Sequence, residues 1–300
     1  MSWHGAVWLL HATTRGGRLI SQRLPVPAAL RRAARQRLIA LAFSDADGVI
    51  ASYPKAGRTW LRFILVNYLN QRFELGLTVD LQSMFGVIPN DILDSDRGRQ
   101  AYRFGDRPEV PFLVASHAPY RRSLFQAKDI LLLLREPKDL LVSAYHHKAS
   151  HTGFAGDIKA FLRDPEHGVD DLVRYCNGWA AHIGDHRHLL MSYEQLSADP
   201  EAMADQTLRF FGIAVDREML KAAVAAASFR SMRSVEATSN VPAHAPRPDN
   251  PNSFRVRRGR VGSYALDLDG DDIAHVDRAC AKGFSDGAKR LFAAVGLQLG

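Results

Sequence analysis

This sequence predicts an α/β fold built on a mostly parallel central sheet flanked by helices. Three observations carry that prediction. Residues Asp129 to Leu134 read Asp-Ile-Leu-Leu-Leu-Leu, and an apolar run of this length suits a parallel strand covered on both faces. Further apolar runs alternate along the chain with helical patterns, the arrangement expected of a parallel sheet with crossover helices. Prolines also punctuate the joins: Pro54 ends one strand, and Pro137 opens a helix at its first turn, where the missing N–H is harmless.

Taken in order, residues 1–47 read as an arginine-rich helical extension broken by Pro25 and Pro27, ahead of a domain over 48–300. Gly48 to Tyr53 is the first strand. Thr59 to Phe73 follows as a helix, with Trp60, Phe63, Ile64, Asn67 and Tyr68 at helical spacing. Residues 76–110, rich in Asp, Gly and Arg, lack sustained periodicity and read as a mobile region with short helices. Pro111 to Ser116, Asp129 to Leu134 and His188 to Ser192 are the remaining strands. Helices are expected from Pro137, over Pro200 to Gly212, and over Ile273 to Val295, with a proline-rich loop over Asn240 to Asn252.

The chain has 300 residues, 46% hydrophobic and 24% charged, as expected of one large globular domain. Its formal charge is +7, and only eight of the 39 basic residues are lysine. Arginine binds phosphate and carboxylate bidentately, which suggests an anionic ligand; charge alone leaves a merely solvated basic surface open. Cys176 and Cys280 lie far apart with no CxxC pairing, which argues against a disulfide scaffold or structural zinc and suits a reducing compartment. The apolar runs Ala6 to Leu10 and Leu38 to Phe43 are too short to span a bilayer, so a cytoplasmic location is expected. Arg15, Arg18 and Arg23 after the first run leave membrane-surface contact through the extension as an alternative.

Tyr53-Pro-Lys-Ala-Gly-Arg-Thr-Trp60 joins the first strand to the first helix. Gly57 permits a tight turn, the N–H groups of the helix start converge on an anion, and Lys55 adds a full positive charge. An ordinary strand–helix turn with an exposed lysine has the same local pattern. The common nucleotide loop GxxxxGK[ST] occurs nowhere, which counts against a kinase or NTPase. Farther on, Arg135 sits at a strand end and Ser143 two turns into the next helix, a spacing that lets both converge on one anion. His117, after a buried strand and between these two segments, is the candidate general base. His146-His147 are adjacent on a helix and do not face one another, so no metal site is expected.

The segment 53–60 resembles the phosphosulfate loop YPKSGTTW of the sulfotransferases that use 3′-phosphoadenosine-5′-phosphosulfate (PAPS). Arg135-Glu-Pro-Lys-Asp-Leu-Leu-Val-Ser143-Ala-Tyr-His-His147 resembles the same family's RxPxDxxxSxxxH segment. The resemblance implies a fold related to P-loop nucleotide-binding proteins, with Lys55 at the transferring sulfuryl group. Ala56, Gly57, Arg58 and Thr59 would serve the 5′-phosphate and Trp60 would stack on adenine. It implies that Arg135 and Ser143 hold the 3′-phosphate, that Tyr193 contacts adenine, and that Ser228, Phe229 and Met232 also contact the nucleotide. Arg257, Arg258 and Gly259, in Arg-Arg-Gly-x-x-Gly262, would grip the 3′-phosphate. Ser116-His117-Ala-Pro119 resembles the THxP motif, whose histidine is the catalytic base. Ala56, Arg58, Ala115, Ala227, Ser263 and Tyr264 depart from the family pattern.

The implied reaction moves a sulfuryl group from PAPS to the hydroxyl of a small molecule or glycan, without a metal and without nucleic acid. Residues 76–110 and 148–170, with Phe85, Tyr145 and His147, are the candidates for framing the acceptor. Two other readings stay open at this stage: a metabolite kinase with a variant phosphate loop, and a basic nucleic-acid binder using Arg255 to Arg260.

Overall fold

A computed structural model describes residues 45–90, 102, 104, 106–151, 153–238, 250, 253–254 and 256–299. The expected extension therefore lies outside the described residues up to position 44, as do positions 91–101 and nearly all of the expected 240–252 loop.

Four strands form one parallel sheet: β1 (Gly48–Ser52), β2 (Leu113–Ser116), β3 (Asp129–Leu134) and β4 (His188–Ser192), in the order β2-β1-β3-β4. Gly48 pairs with Leu113 on one side and Asp129 on the other, and Leu134 pairs with Ser192. The whole of β1 and five of the six residues of β3 are buried, as their unbroken apolar sequences require. Connections run to one side of β1 and to the other side of β3, so the order reverses between these two strands. In open α/β sheets a ligand crevice lies at the carboxyl ends of strands at such a reversal.

The flanking helices are α1 (Arg58–Arg72), α2 (Leu81–Val87), α3 (Arg122–Phe125), α4 (Pro137–His151), α5 (Ile158–Leu162) and α6 (Val169–Ala180), then α7 (Tyr193–Ala198), α8 (Pro200–Phe210), α9 (Arg217–Ala226), α10 (Phe229–Thr238), α11 (Gly270–Gly283) and α12 (Asp286–Ala294). A short 3-10 turn covers Ser263–Leu266. Helix α1 buries Leu61, Phe63, Ile64, Leu65, Val66, Tyr68 and Leu69 in the core. No helix among the described residues is long and apolar enough to cross a membrane.

One expectation is corrected. The last helix is not continuous from Ile273 to Val295: it breaks at Phe284, and Ser285 caps α12 by accepting from the Ala288 N–H. A serine that takes a backbone donor starts a new helix more readily than it continues an old one. Within the region 76–110 an expected short helix is present. Asp80 and Ser83 form a reciprocal capping box, at 2.7 and 2.8 Å, and α2 behind it packs Leu81, Met84, Phe85 and Val87 into the core.

Candidate active site

All four strands end on one rim, and each end carries a residue singled out in the sequence: Lys55 after β1, His117 after β2, Arg135 after β3 and Tyr193 after β4. Their side chains line a cavity of about 450 Å³, within the usual range for a small-molecule site.

The loop after β1 is held from several directions. The Tyr53 hydroxyl donates to Asp171 of α6 at 2.8 Å; burial first, and the Asp171 charge next, push its pKa up. Arg135 donates to the Lys55 carbonyl at 3.0 Å, while its guanidinium lies 4.2 Å over the Tyr193 ring. Gly57 has φ +97°, and a Cβ there would stand 2.5 Å from Cδ2 of Tyr193, so only glycine fits beneath that ring. No side chain caps α1, whose first residues, Arg58 and Thr59, line the cavity beside Lys55. Trp60 donates to the Ala227 carbonyl at 2.9 Å and meets Tyr193 edge to face, with centroids 6.0 Å apart. Ala56 is fully buried and outside the cavity lining; its N–H closes the turn to the Tyr53 carbonyl.

Arg58 does not point to solvent. It is 6% exposed, and its Nη2 donates to Asn90 Oδ1 at 3.0 Å. Arg62 donates to the same oxygen at 2.7 Å and lies 4.6 Å over the Phe85 ring. Both arginines line the cavity beside His117. His117 is exposed to the cavity it lines, yet enough protein stands around it to desolvate the ring. Burial, then the Arg58 charge, with Arg62 and Lys55 adding to it, hold its pKa well below the ordinary histidine value. The bond from His117 to the Ser52 carbonyl opposes these effects without reversing them.

The second segment converges with the first. Ser143 on α4 lines the cavity with Arg135, Arg257, Arg258 and Gly259. Gly259 has φ +62°, and a Cβ there would stand 2.6 Å from the Phe229 ring. Phe229 and Met232 on α10 complete this wall. Ser228 does not reach it: its hydroxyl pairs with that of Ser231 at 2.8 Å, at the start of α10. Of the acceptor candidates, Phe85 and His147 line the cavity, whereas Tyr145 packs edge-on against Phe161 at 5.7 Å. His146 binds Asp267 at 2.7 Å, and among the described residues no cluster of three or more ligands could hold a metal.

This lining fits a nucleotide with separated anionic groups. Nε of Arg135 and Nη1 of Arg257 are buried without a hydrogen-bond partner among the described residues, though Nη1 lies 3.7 Å from Asp267. Burial, followed among the opposing charges by Arg258 and Arg135, pulls the Arg257 pKa down against the influence of Asp267; a bound anion would relieve that crowding. Among the described residues no carboxylate lines the cavity, and Trp60, Tyr193 and Phe229 add aromatic surface to its lining.

The sequence profile of the sulfotransferase domain matches residues 45–288, most of the chain. The chain belongs to the sulfotransferase family. Human sulfotransferase 2A1 is 28% identical over 206 residues, covering 63% of this chain and 67% of that protein. Cytosolic sulfotransferase 17 of Arabidopsis thaliana is 24% identical over 77% of this chain and 72% of its own. Among solved structures, mouse sulfotransferase SULT7A1 complexed with PAP superposes with a TM-score of 0.59 at 19% identity, covering 87% of this chain and 94% of that one. Retinol dehydratase, in a complex with retinol and PAP, has a TM-score of 0.55 at 16% identity, covering 88% and 87%. The sulfotransferase fold is thus shared, and sulfuryl transfer replaces the kinase reading.

Of the arginines between 255 and 260 in this sulfotransferase, Arg257 and Arg258 turn toward Asp267, Arg260 is exposed, and Arg255 lies outside the described residues. Sequence reasoning missed Asp139, Asp267, Arg62 and Asn90. Only Asp139 stood in a recognised segment, as the D of RxPxD, and its task depends on a loop more than 120 residues away.

Proposed function

We propose that the cavity binds PAPS and a hydroxyl-bearing acceptor, and that His117 is the base that activates the hydroxyl. The convergence of Lys55, His117 and Arg135 on one cavity supports this reading most directly. Bound PAPS supplies the sulfuryl group and leaves as adenosine 3′,5′-bisphosphate.

Lys55 and the uncapped start of α1 serve the 5′ end, where they offset negative charge that grows on the bridging oxygen. Arg135, Ser143, Arg257, Arg258 and Gly259 serve the 3′-phosphate, and Trp60, Tyr193, Phe229 and Met232 frame the base. His117 takes the hydroxyl proton on Nε2 as the acceptor oxygen attacks. Its lowered pKa keeps it neutral, and so ready to accept, at pH 7. Phe85, Asn90, His147 and Lys148 line the part of the cavity left for a small-molecule or glycan acceptor.

Thermal melting tests the nucleotide. Adenosine 3′,5′-bisphosphate should raise the Tm by ligand linkage, while ATP at equal concentration should do little. Equal stabilisation by ATP would overturn the reading. Labelled PAPS offered with a panel of phenols, alcohols and glycans then identifies the acceptor.

A further inference from the structure

Helix α4 presents Asp139, Ser143 and His146 at i, i+4 and i+7, a spacing that keeps three side chains on one helix face. Ser143 in the middle lines the cavity, and the two outer residues hold the loop that faces it. Asp139 is 1% exposed. Its Oδ2 accepts the Gly262 N–H at 2.6 Å, and its Oδ1 accepts the Tyr264 N–H at 2.8 Å and the Ser263 hydroxyl at 3.3 Å. Its own N–H donates to Glu136 at 2.8 Å. At the other end of the face His146 Nε2 lies 2.7 Å from Asp267 Oδ1. The second oxygen of Asp267 accepts from Arg258 at 2.5 Å and lies 3.7 Å from Arg257.

Both attachments therefore bind the 257–264 segment to the helix that bears Ser143. We infer that Asp139 and the His146–Asp267 pair are positioning residues, which set Arg257, Arg258 and Gly259 opposite Arg135 and Ser143 so that together they grip a ribose 3′-phosphate. This rests on the nucleotide reading above.

The division of labour follows from the donors. Asp139 takes backbone N–H groups and a hydroxyl, so it fixes the loop without neutralising a cation that the phosphate needs. Asp267 takes the guanidinium of Arg258 and thereby fixes its direction, while His146 keeps Asp267 in place. Neither carboxylate lines the cavity. A buried carboxylate with three donors is also hard to replace: in Asp139→Asn the new NH₂ would face one of the loop N–H groups, donor against donor.

The test is calorimetric binding of adenosine 3′,5′-bisphosphate and of adenosine 5′-phosphate to the full chain and to Asp139→Asn and Asp267→Asn. The wild type should prefer the bisphosphate. Each variant should lose roughly 10- to 100-fold for it, the scale of one or two hydrogen bonds to charged groups, and change little for the 5′-phosphate. In turnover the KM for PAPS should rise more than kcat falls. A merely structural role would weaken both nucleotides alike, and that result overturns the inference. So does a pair of variants that keeps the wild-type preference. Should Asp139→Asn fail to fold, the partly exposed Asp267→Asn carries the same test. A wild type without preference for the bisphosphate would instead overturn the nucleotide reading itself, and this inference with it.

Discussion

Nδ1 of His117 lies 2.8 Å from the carbonyl oxygen of Ser52, the last residue of β1. A carbonyl only accepts, so Nδ1 carries the hydrogen and Nε2 of the neutral ring keeps its lone pair. The strand that leads into the phosphate loop thus also fixes which nitrogen of the base is free to act.

His117→Ala should lower turnover by roughly 10²- to 10⁴-fold, the usual contribution of a general base. Binding of adenosine 3′,5′-bisphosphate, followed by calorimetry, should be nearly unchanged. The wild-type rate should be flat at neutral pH and fall only in acid, below the ordinary histidine pKa of about 6.5, because the active form is the neutral ring. Turnover near the wild-type value in the alanine variant would remove His117 from the mechanism.

Arg58→Thr tests the charge beside that base. Arg58 is the leading charge that lowers the His117 pKa, so its removal should raise it. The acidic limb of kcat/KM should then move to higher pH. An unmoved limb would mean that the Arg58 charge does not act on His117.

Arg135→Ala should weaken adenosine 3′,5′-bisphosphate by about 10- to 150-fold, because a hydrogen bond to a charged group contributes roughly 1.5–3 kcal/mol. Adenosine-5′-phosphosulfate should weaken much less, through the bond from Arg135 to the Lys55 carbonyl and the contact of Arg135 with the Tyr193 ring. Ser143→Ala, which breaks no such tether, should show the same selectivity with a smaller loss. Equal losses of both nucleotides in Arg135→Ala would make loop support its main role.

Gly57→Ala adds a side chain where φ is +97° and the Tyr193 ring stands 2.5 Å away. A left-handed conformation costs an L-residue about 1–2 kcal/mol, and Tyr193 must also move. A lower Tm together with at least about tenfold weaker nucleotide binding is expected, the latter matching a loss of roughly 1.4 kcal/mol. Unchanged binding would show that the cradle can yield.

The legible parts of this protein are those whose cause is local. Strand β3 announced itself because both of its faces are covered, and the start of α1 because Pro54, Lys55 and Gly57 leave the chain few other conformations. Lys55, His117, Arg135 and Ser143 converge because parallel strands deliver their carboxyl ends to one rim, which follows once the strands are placed. Distant pairings were not legible. Nothing near Asp139 in the sequence says that Gly262 and Tyr264 will donate to it. The direction of Arg58 depends likewise on Asn90, 32 residues on. The break between α11 and α12 was missed because an apolar periodicity can run through a cap such as Ser285 without showing it.

The common direction of the four strands also divides the protein into a working end and a spare one. Lys55, His117, Arg135 and Tyr193 all follow strand exits, while the turns before β3 and β4, near Ala127 and His186, stand at strand entries. An affinity tag or a small reporter inserted at Ala127 has the length of the sheet between it and the chemistry. Such a fusion should keep its nucleotide affinity, which makes the entry end the place to tether this enzyme to a support or to a second catalyst.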